Sequence, residues 1–172
     1  MKKQRTATEV SATAAGHRRG RTAALIGLAV GLLAAFVAPD FHAANCVLLI
    51  AVAVMGGIMA GRTAAMHHPG SAAALGRSGG TRAAFGFTLP FIAIFAWQAL
   101  RMDADQVARL MAALSPPEIE AIKQAGLTIG ASYFQGQLIS YIGAYILFGA
   151  LWGQLGGWIG GLIGRKSLDS KR

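Results

Sequence analysis

Between residues 124 and 164 the chain carries no charged side chain, and the last sixteen residues of that stretch hold seven glycines: Gly149, Gly153, Gly156, Gly157, Gly160, Gly161 and Gly164. In a water-exposed helix each glycine costs about 1 kcal/mol relative to alanine. In lipid the same residue is useful, because a bare backbone lets a second helix come close enough for dispersion forces to hold the pair. The feature therefore points to a membrane-embedded helix packed closely against another.

Composition and segment lengths extend this reading to the whole chain. Of the 172 residues 54% are hydrophobic and 13% charged, whereas soluble domains are charged at about a quarter of their positions. A helix needs about 20 apolar residues to cross a hydrocarbon core of roughly 30 Å. Four segments fit: residues 22–38, 43–61, 83–100 and 141–164. The expected fold is all-α, a polytopic integral membrane protein with four transmembrane helices and a short amphipathic helical segment outside the membrane. As one helix the uncharged C-terminal stretch would run about 60 Å, twice the core thickness. The expectation is thus a single span, preceded over residues 124–140 by an interfacial or partly embedded approach containing Ser132, Tyr133, Gln135 and Gln137.

The charges set a direction. Lys2, Lys3, Arg5, Arg18, Arg19 and Arg21 precede the first span; Arg62, Arg77 and Arg82 fall in the expected loop after the second; Arg165, Lys166, Lys171 and Arg172 follow the last. Four spans put all of these on one side, leaving Arg101, Arg109 and Lys123 on the other with most of the acids. Lysine and arginine concentrate in cytoplasmic loops, so both termini are expected in the cytoplasm and the chain in the inner membrane of a bacterium. Residues 1–21 read as a disordered basic leader and 165–172 as a basic tail. No small-x-small cleavage site follows the first apolar segment, which reads as an uncleaved anchor. The net charge of +9 is accounted for by anionic lipid headgroups, each basic residue near the surface contributing up to about 1 kcal/mol; nucleic acid is not needed as a partner.

Two start signals stand in the external segment 101–123. Asp103 with Gln106 three residues on, and Ser115-Pro116-Pro117-Glu118, each pair a capping residue with its box partner, the second with proline at the first helical position. Val107, Leu110, Met111 and Leu114, then Ile119 and Ile122, continue apolar stripes at helical spacing. Two short amphipathic helices breaking at Ser115 are expected, their apolar faces on the leaflet surface or capping the bundle.

At about 100° per residue the seven C-terminal glycines share one face of the last span, opposite Leu151, Leu155, Trp158 and Leu162. Gly27 and Gly31 in the first span and Gly57 and Gly61 in the second add further small faces. These glycines are the expected helix-packing positions, within one chain first and in a homo-oligomer or with a partner membrane subunit second. Pro90 should kink the third helix; Trp97 reads as an interfacial residue with Arg101 snorkelling beside it. Gln135, Gln137 and Gln154 are the candidates for a polar cavity or interface. His67-His68-Pro69 reads as a loop, and Pro39, Asp40 and His42 as a tight turn. Cys46 is the only cysteine. No catalytic constellation, cofactor motif or metal-ligand spacing emerges.

The segment from Arg82 to Arg101, the run from Leu114 to Glu120 and the ending Gly164-Arg165-Lys166 together resemble the small four-span bacterial membrane proteins of unknown function, over roughly residues 83–166. The resemblance implies architecture, a hairpin, a third span, a charged external helix and a final span, with no activity attached. The expected role is a non-enzymatic scaffold or accessory subunit acting through glycine-mediated helix packing. The alternative is a small oligomeric channel or transporter for a small solute.

Overall fold

The structure, a computed structural model, describes residues 7–37 and 43–169. It consists of helices α1 (Ala7–Val37), α2 (Ala43–His67), α3 (Ala72–Leu100), α4 (Ala104–Ala113), α5 (Pro116–Gln124) and α6 (Ala131–Asp169), with a single 3-10 turn at Pro69–Ser71. Helices α1, α2, α3 and α6 are long and apolar enough to cross a membrane, and no strand occurs among the described residues. The chain is an all-α, polytopic fold. The expected turn at Pro39, Asp40 and His42 lies outside the described residues, as do Lys2, Lys3, Arg5, Lys171 and Arg172.

Three boundaries differ from the sequence expectation. From Ala7 onward the leader is helical, because α1 carries its small stripe backwards: Gly16 and Gly20 are buried in line with Ala23, Gly27, Gly31 and Ala35. The long basic loop at 62–82 shrinks to a tight turn around His68. Gly70 lies in that turn, whereas Gly76, Gly79 and Gly80 lie on the first turns of α3 and are buried. Tertiary packing, rather than helix propensity, supplies most helical stability, and here the small side chains that weaken propensity are what permit the packing. Finally, no separate approach precedes the last span. Helix α6 is continuous over 39 residues, about 58 Å at 1.5 Å per residue. Apart from Ser140 and Gln154, its strongly polar residues lie toward its two ends, Ser132, Tyr133, Gln135 and Gln137 at one and Arg165, Lys166 and Ser167 at the other.

The chain divides into two compact units, Met1–Phe91 with Tyr145–Arg172, and Ile92–Ala144. In the first, contacts rise in parallel between α1 and α3 (Gly16 with Leu75, Gly20 with Gly79, Gly27 with Ala83, Gly31 with Phe87) and between α2 and α6 (Gly57 with Gly157, Gly61 with Gly161). They run in opposite order between α2 and α3 (Gly56 with Gly79 and Ala83, Gly61 with Ala72) and between α3 and α6 (Gly76 with Gly161, Gly80 with Gly157, Thr88 with Gly149). The four helices thus alternate in direction, and α3 touches the other three. Pro90 lies inside α3 without ending it; lacking an N–H, it leaves the Gly86 carbonyl without its usual intrahelical donor.

The second unit holds the end of α3, helices α4 and α5, and the start of α6. Asp103 caps α4, accepting from the Gln106 backbone N–H at 2.8 Å. Helix α5 ends where Gly126 takes φ +74°, a left-handed conformation that glycine adopts without a Cβ penalty. The Gly126 N–H then reaches the Lys123 carbonyl at 2.9 Å and the Leu127 N–H the Ile122 carbonyl at 3.1 Å, the paired bonds of a Schellman stop.

Candidate functional site

The seven glycines from Gly149 to Gly164 are all buried, and Leu151, Leu155, Trp158 and Leu162 are exposed. Their face is filled by α2 and α3 of the same chain. Gly157 is the junction: a methyl group there would sit 2.8 Å from the Gly76 carbonyl oxygen, 2.9 Å from the Arg77 carbonyl oxygen and 2.9 Å from Gly80 Cα, while Gly57 abuts its backbone from the other side. Gly160 and Gly164 approach the α2 backbone at Val54 and Ile58, and Gly161 approaches Ala72 and Gly76 of α3. Gly27 and Gly31 seat α1 on the backbone of α3. Sequence reading missed Gly16, Gly20, Gly76, Gly79, Gly80 and Gly86 as packing positions. The signal was present as small residues recurring every three or four positions, but arginines at neighbouring positions hid it.

Next to this glycine zone the first unit is closed by aromatic rings. Phe87 and Phe91 are fully buried, their centroids 5.5 Å apart, and Phe91 stacks on Tyr145 at 4.7 Å with planes 13° apart. Two polar residues are buried there, Asn45 and Thr88. Asn45 donates from Nδ2 to the Tyr145 hydroxyl at 3.5 Å, and Thr88 donates to the Phe85 carbonyl at 3.2 Å. None of these was a sequence candidate; a lone asparagine in the first turn of an apolar helix was the available signal for Asn45.

The three candidate glutamines are placed separately. In the second unit Gln135 donates to the Ala99 carbonyl at 3.0 Å, tying α6 to the end of α3, and Gln137 donates to the Tyr133 hydroxyl at 3.2 Å. Two residues apart, they point about 200° apart around the helix. Gln154, in the first unit, is exposed. Gly136 and Gly143 have open space where a side chain would be, and Ser132 and Ser140 are exposed. At the end of α3 the Arg101 guanidinium lies 4.2 Å over the Trp97 ring, a cation–π contact that lets the charge stay near an apolar surface.

Helices α4 and α5 with the segment after them enclose an open groove of about 460 Å³ lined by Met111, Leu114, Ile119, Lys123, Leu127, Thr128 and Ile129. No residue of α4 is buried, so its apolar side is free to lie on a bilayer surface. Electrostatics hold the start of α5. The Ser115 hydroxyl and N–H both donate to Glu118 Oε2, at 2.6 and 2.7 Å, and these bonds hold the Glu118 carboxyl below its ordinary value. A depressed carboxylate pKa adds stability above the unfolded-state value, and that stability is lost as pH falls through the folded-state value. The protection of the amides at the first turn of α5, measured as exchange relative to the intrinsic rate at each pH, should therefore fall in acid, below the ordinary glutamate range. In Glu118→Ala that protection should be low already at neutral pH and should not change further in acid; an unchanged acid loss of protection in that variant would refute the assignment.

The basic end of the first unit is distinct. Arg82 donates to the His17 carbonyl at 3.1 Å, pinning α3 to α1. Beside it, Ala14, Ala15, Arg18, Arg19 and Thr22 of α1 and Thr63 of α2 line a groove of about 720 Å³. Among the described residues no group of three or more histidine, cysteine, aspartate or glutamate side chains is placed to hold a metal. No protein-family model, curated protein or solved structure matches the chain.

Proposed function

We propose that the protein is a non-enzymatic scaffold or accessory subunit of a cytoplasmic membrane, with both termini on the cytoplasmic side. The observation that carries this reading is where glycine-mediated packing is used up and where it is left open. Among the described residues, every glycine of the four long helices abuts another helix except Gly136 and Gly143 of α6. These two, with Ser132 and Ser140, offer a partner helix the close approach that small residues allow in lipid. The orientation is supported by the basic residues that the alternating helices bring to one end, Arg18, Arg19, Arg21, Arg62, Arg77, Arg82, Arg165 and Lys166. The rival reading, a small channel or transporter, would need its pathway between copies, because Phe87, Phe91 and Tyr145 fill the centre of the first unit.

The test is the size and content of the complex extracted in mild detergent. Gly136→Leu with Ser140→Leu should release a second copy or a co-purifying subunit while leaving the melting temperature within a few degrees of the parent. A complex of unchanged mass and composition would sink the proposal.

A further inference from the structure

The groove at the basic end has a chemistry of its own. Among the described residues its wall carries two guanidinium groups, those of Arg18 and Arg19, and no carboxylate. Both arginines are exposed, so their charges remain available to a ligand. The two threonines on the wall donate to carbonyls of their own helices, Thr22 to Arg18 at 3.4 Å and Thr63 to Met59 at 2.9 Å. This leaves the arginines as the donors that define what the groove takes. Two adjacent guanidiniums with no acid between them favour a phosphate, which matches their fork geometry and accepts charge-assisted hydrogen bonds.

Below the groove the surface changes character. On α1 the stripe that carries Arg18 and Thr22 continues at helical spacing through Ile26, Ala29 and Leu33, all but Ala29 large and apolar, and Ile26 and Leu33 are exposed. On α2, Thr63 is followed toward the other end by Met59 and Met55 at four-residue spacing, and Met55 is exposed. The seam between the helices is thus cationic at its mouth and apolar along its length. Free phosphate would use only the mouth; a phospholipid uses both parts.

We propose that the α1–α2 groove binds an anionic phospholipid, its phosphate held by Arg18 and Arg19 and an acyl chain lying along Ile26, Leu33 and Met55. The site rests on the basic end facing an anionic leaflet and is independent of the scaffold role. It differs from general attraction of a basic surface to a membrane in having a place, a wall and a chain track.

The experiment measures retention and exchange of phosphatidylglycerol and phosphatidylcholine on the full-length protein in mild detergent by native mass spectrometry. The parent should hold phosphatidylglycerol in preference to phosphatidylcholine. Arg18→Gln with Arg19→Gln should weaken phosphatidylglycerol about tenfold or more. Arg165→Gln with Lys166→Gln, which removes the same charge elsewhere, should change it less than about twofold. Ala15→Phe fills the groove without touching its charge and should also weaken binding. Equal losses in the two charge-removing variants would reduce the effect to diffuse attraction and overturn the site. Full displacement by millimolar inorganic phosphate, with no contribution from acyl length, would assign the groove to a soluble phosphate and overturn the lipid. The mass of the protein complex is read in the same spectra, so the lipid site and the scaffold role stand or fall separately.

Discussion

Gly157→Ala should be strongly destabilising, although it adds a single methyl group to a helix. The three atoms that a Cβ at this position would meet within 3 Å are all backbone: the carbonyl oxygens of Gly76 and Arg77 and the Gly80 Cα. A side chain could rotate away; these atoms move only if α3 and α6 separate. Separation on the α3 side is not free either, because Gly57 of α2 already rests on the Gly157 backbone from another direction. Overpacking a well-filled core typically costs about 1–3 kcal/mol, and the rigid neighbours place Gly157→Ala at the upper end or beyond. Gly157→Leu should prevent α6 from docking at all. A Cβ at Gly136 or Gly143 meets nothing within 4 Å. There alanine should be neutral, or stabilising by up to about 1 kcal/mol through helix propensity. Detergent-titration unfolding of the three alanine variants, followed by circular dichroism, decides the matter: a Gly157→Ala midpoint equal to that of Gly136→Ala would mean that the helices are not seated on bare backbone.

The contrast between these glycines also explains which parts of the fold were readable in the sequence. The four apolar stretches could be found because span length is set by bilayer thickness and needs no knowledge of partners. The starts at Asp103 and Ser115 were readable because a cap is a local pattern of two residues three apart. What could not be read was which residues a neighbour covers. Arg77 and Arg82 made the segment with Gly76, Gly79 and Gly80 look like a loop, since charge was judged along the chain and not around a helix. Arg77 is exposed while all three glycines are buried, so one stretch is basic on its outside and bare backbone on its inside. Gly16 and Gly20 were hidden in the same way by His17, Arg18 and Arg19. The long α6 shows the converse. Its length, twice the core thickness, argued against one continuous helix, but the extra turns carry polar Tyr133, Gln135 and Gln137, and Gln135 and Gln137 each satisfy an amide donor within their own unit, on Ala99 and on Tyr133. Of the candidate polar positions, the glutamines were found by residue type alone. The buried pair Asn45 and Tyr145 was not, because 100 positions separate them in the chain.

Phe91→Ala is the second large effect expected. The ring is fully buried, stacks at 4.7 Å on Tyr145 and lies 5.5 Å from Phe87. Truncating such a residue removes its contacts and leaves a cavity, at about 3–5 kcal/mol; the stacking geometry contributes about 0.5–1.5 kcal/mol of this kind of loss beyond area. The glycine zone cannot relax to fill the space, since its helices already touch backbone to backbone. Tyr145→Phe serves as the comparison. It keeps the stack and removes only the hydroxyl that accepts from Asn45 at 3.5 Å, a bond of a kind that averages about 0.6 kcal/mol within membranes. Phe91→Ala should therefore shift the unfolding midpoint several times further than Tyr145→Phe. The reverse order would make the polar pair, and not the aromatic stack, the element that closes this part of the bundle, and would turn attention to Asn45 as a functional rather than a structural residue.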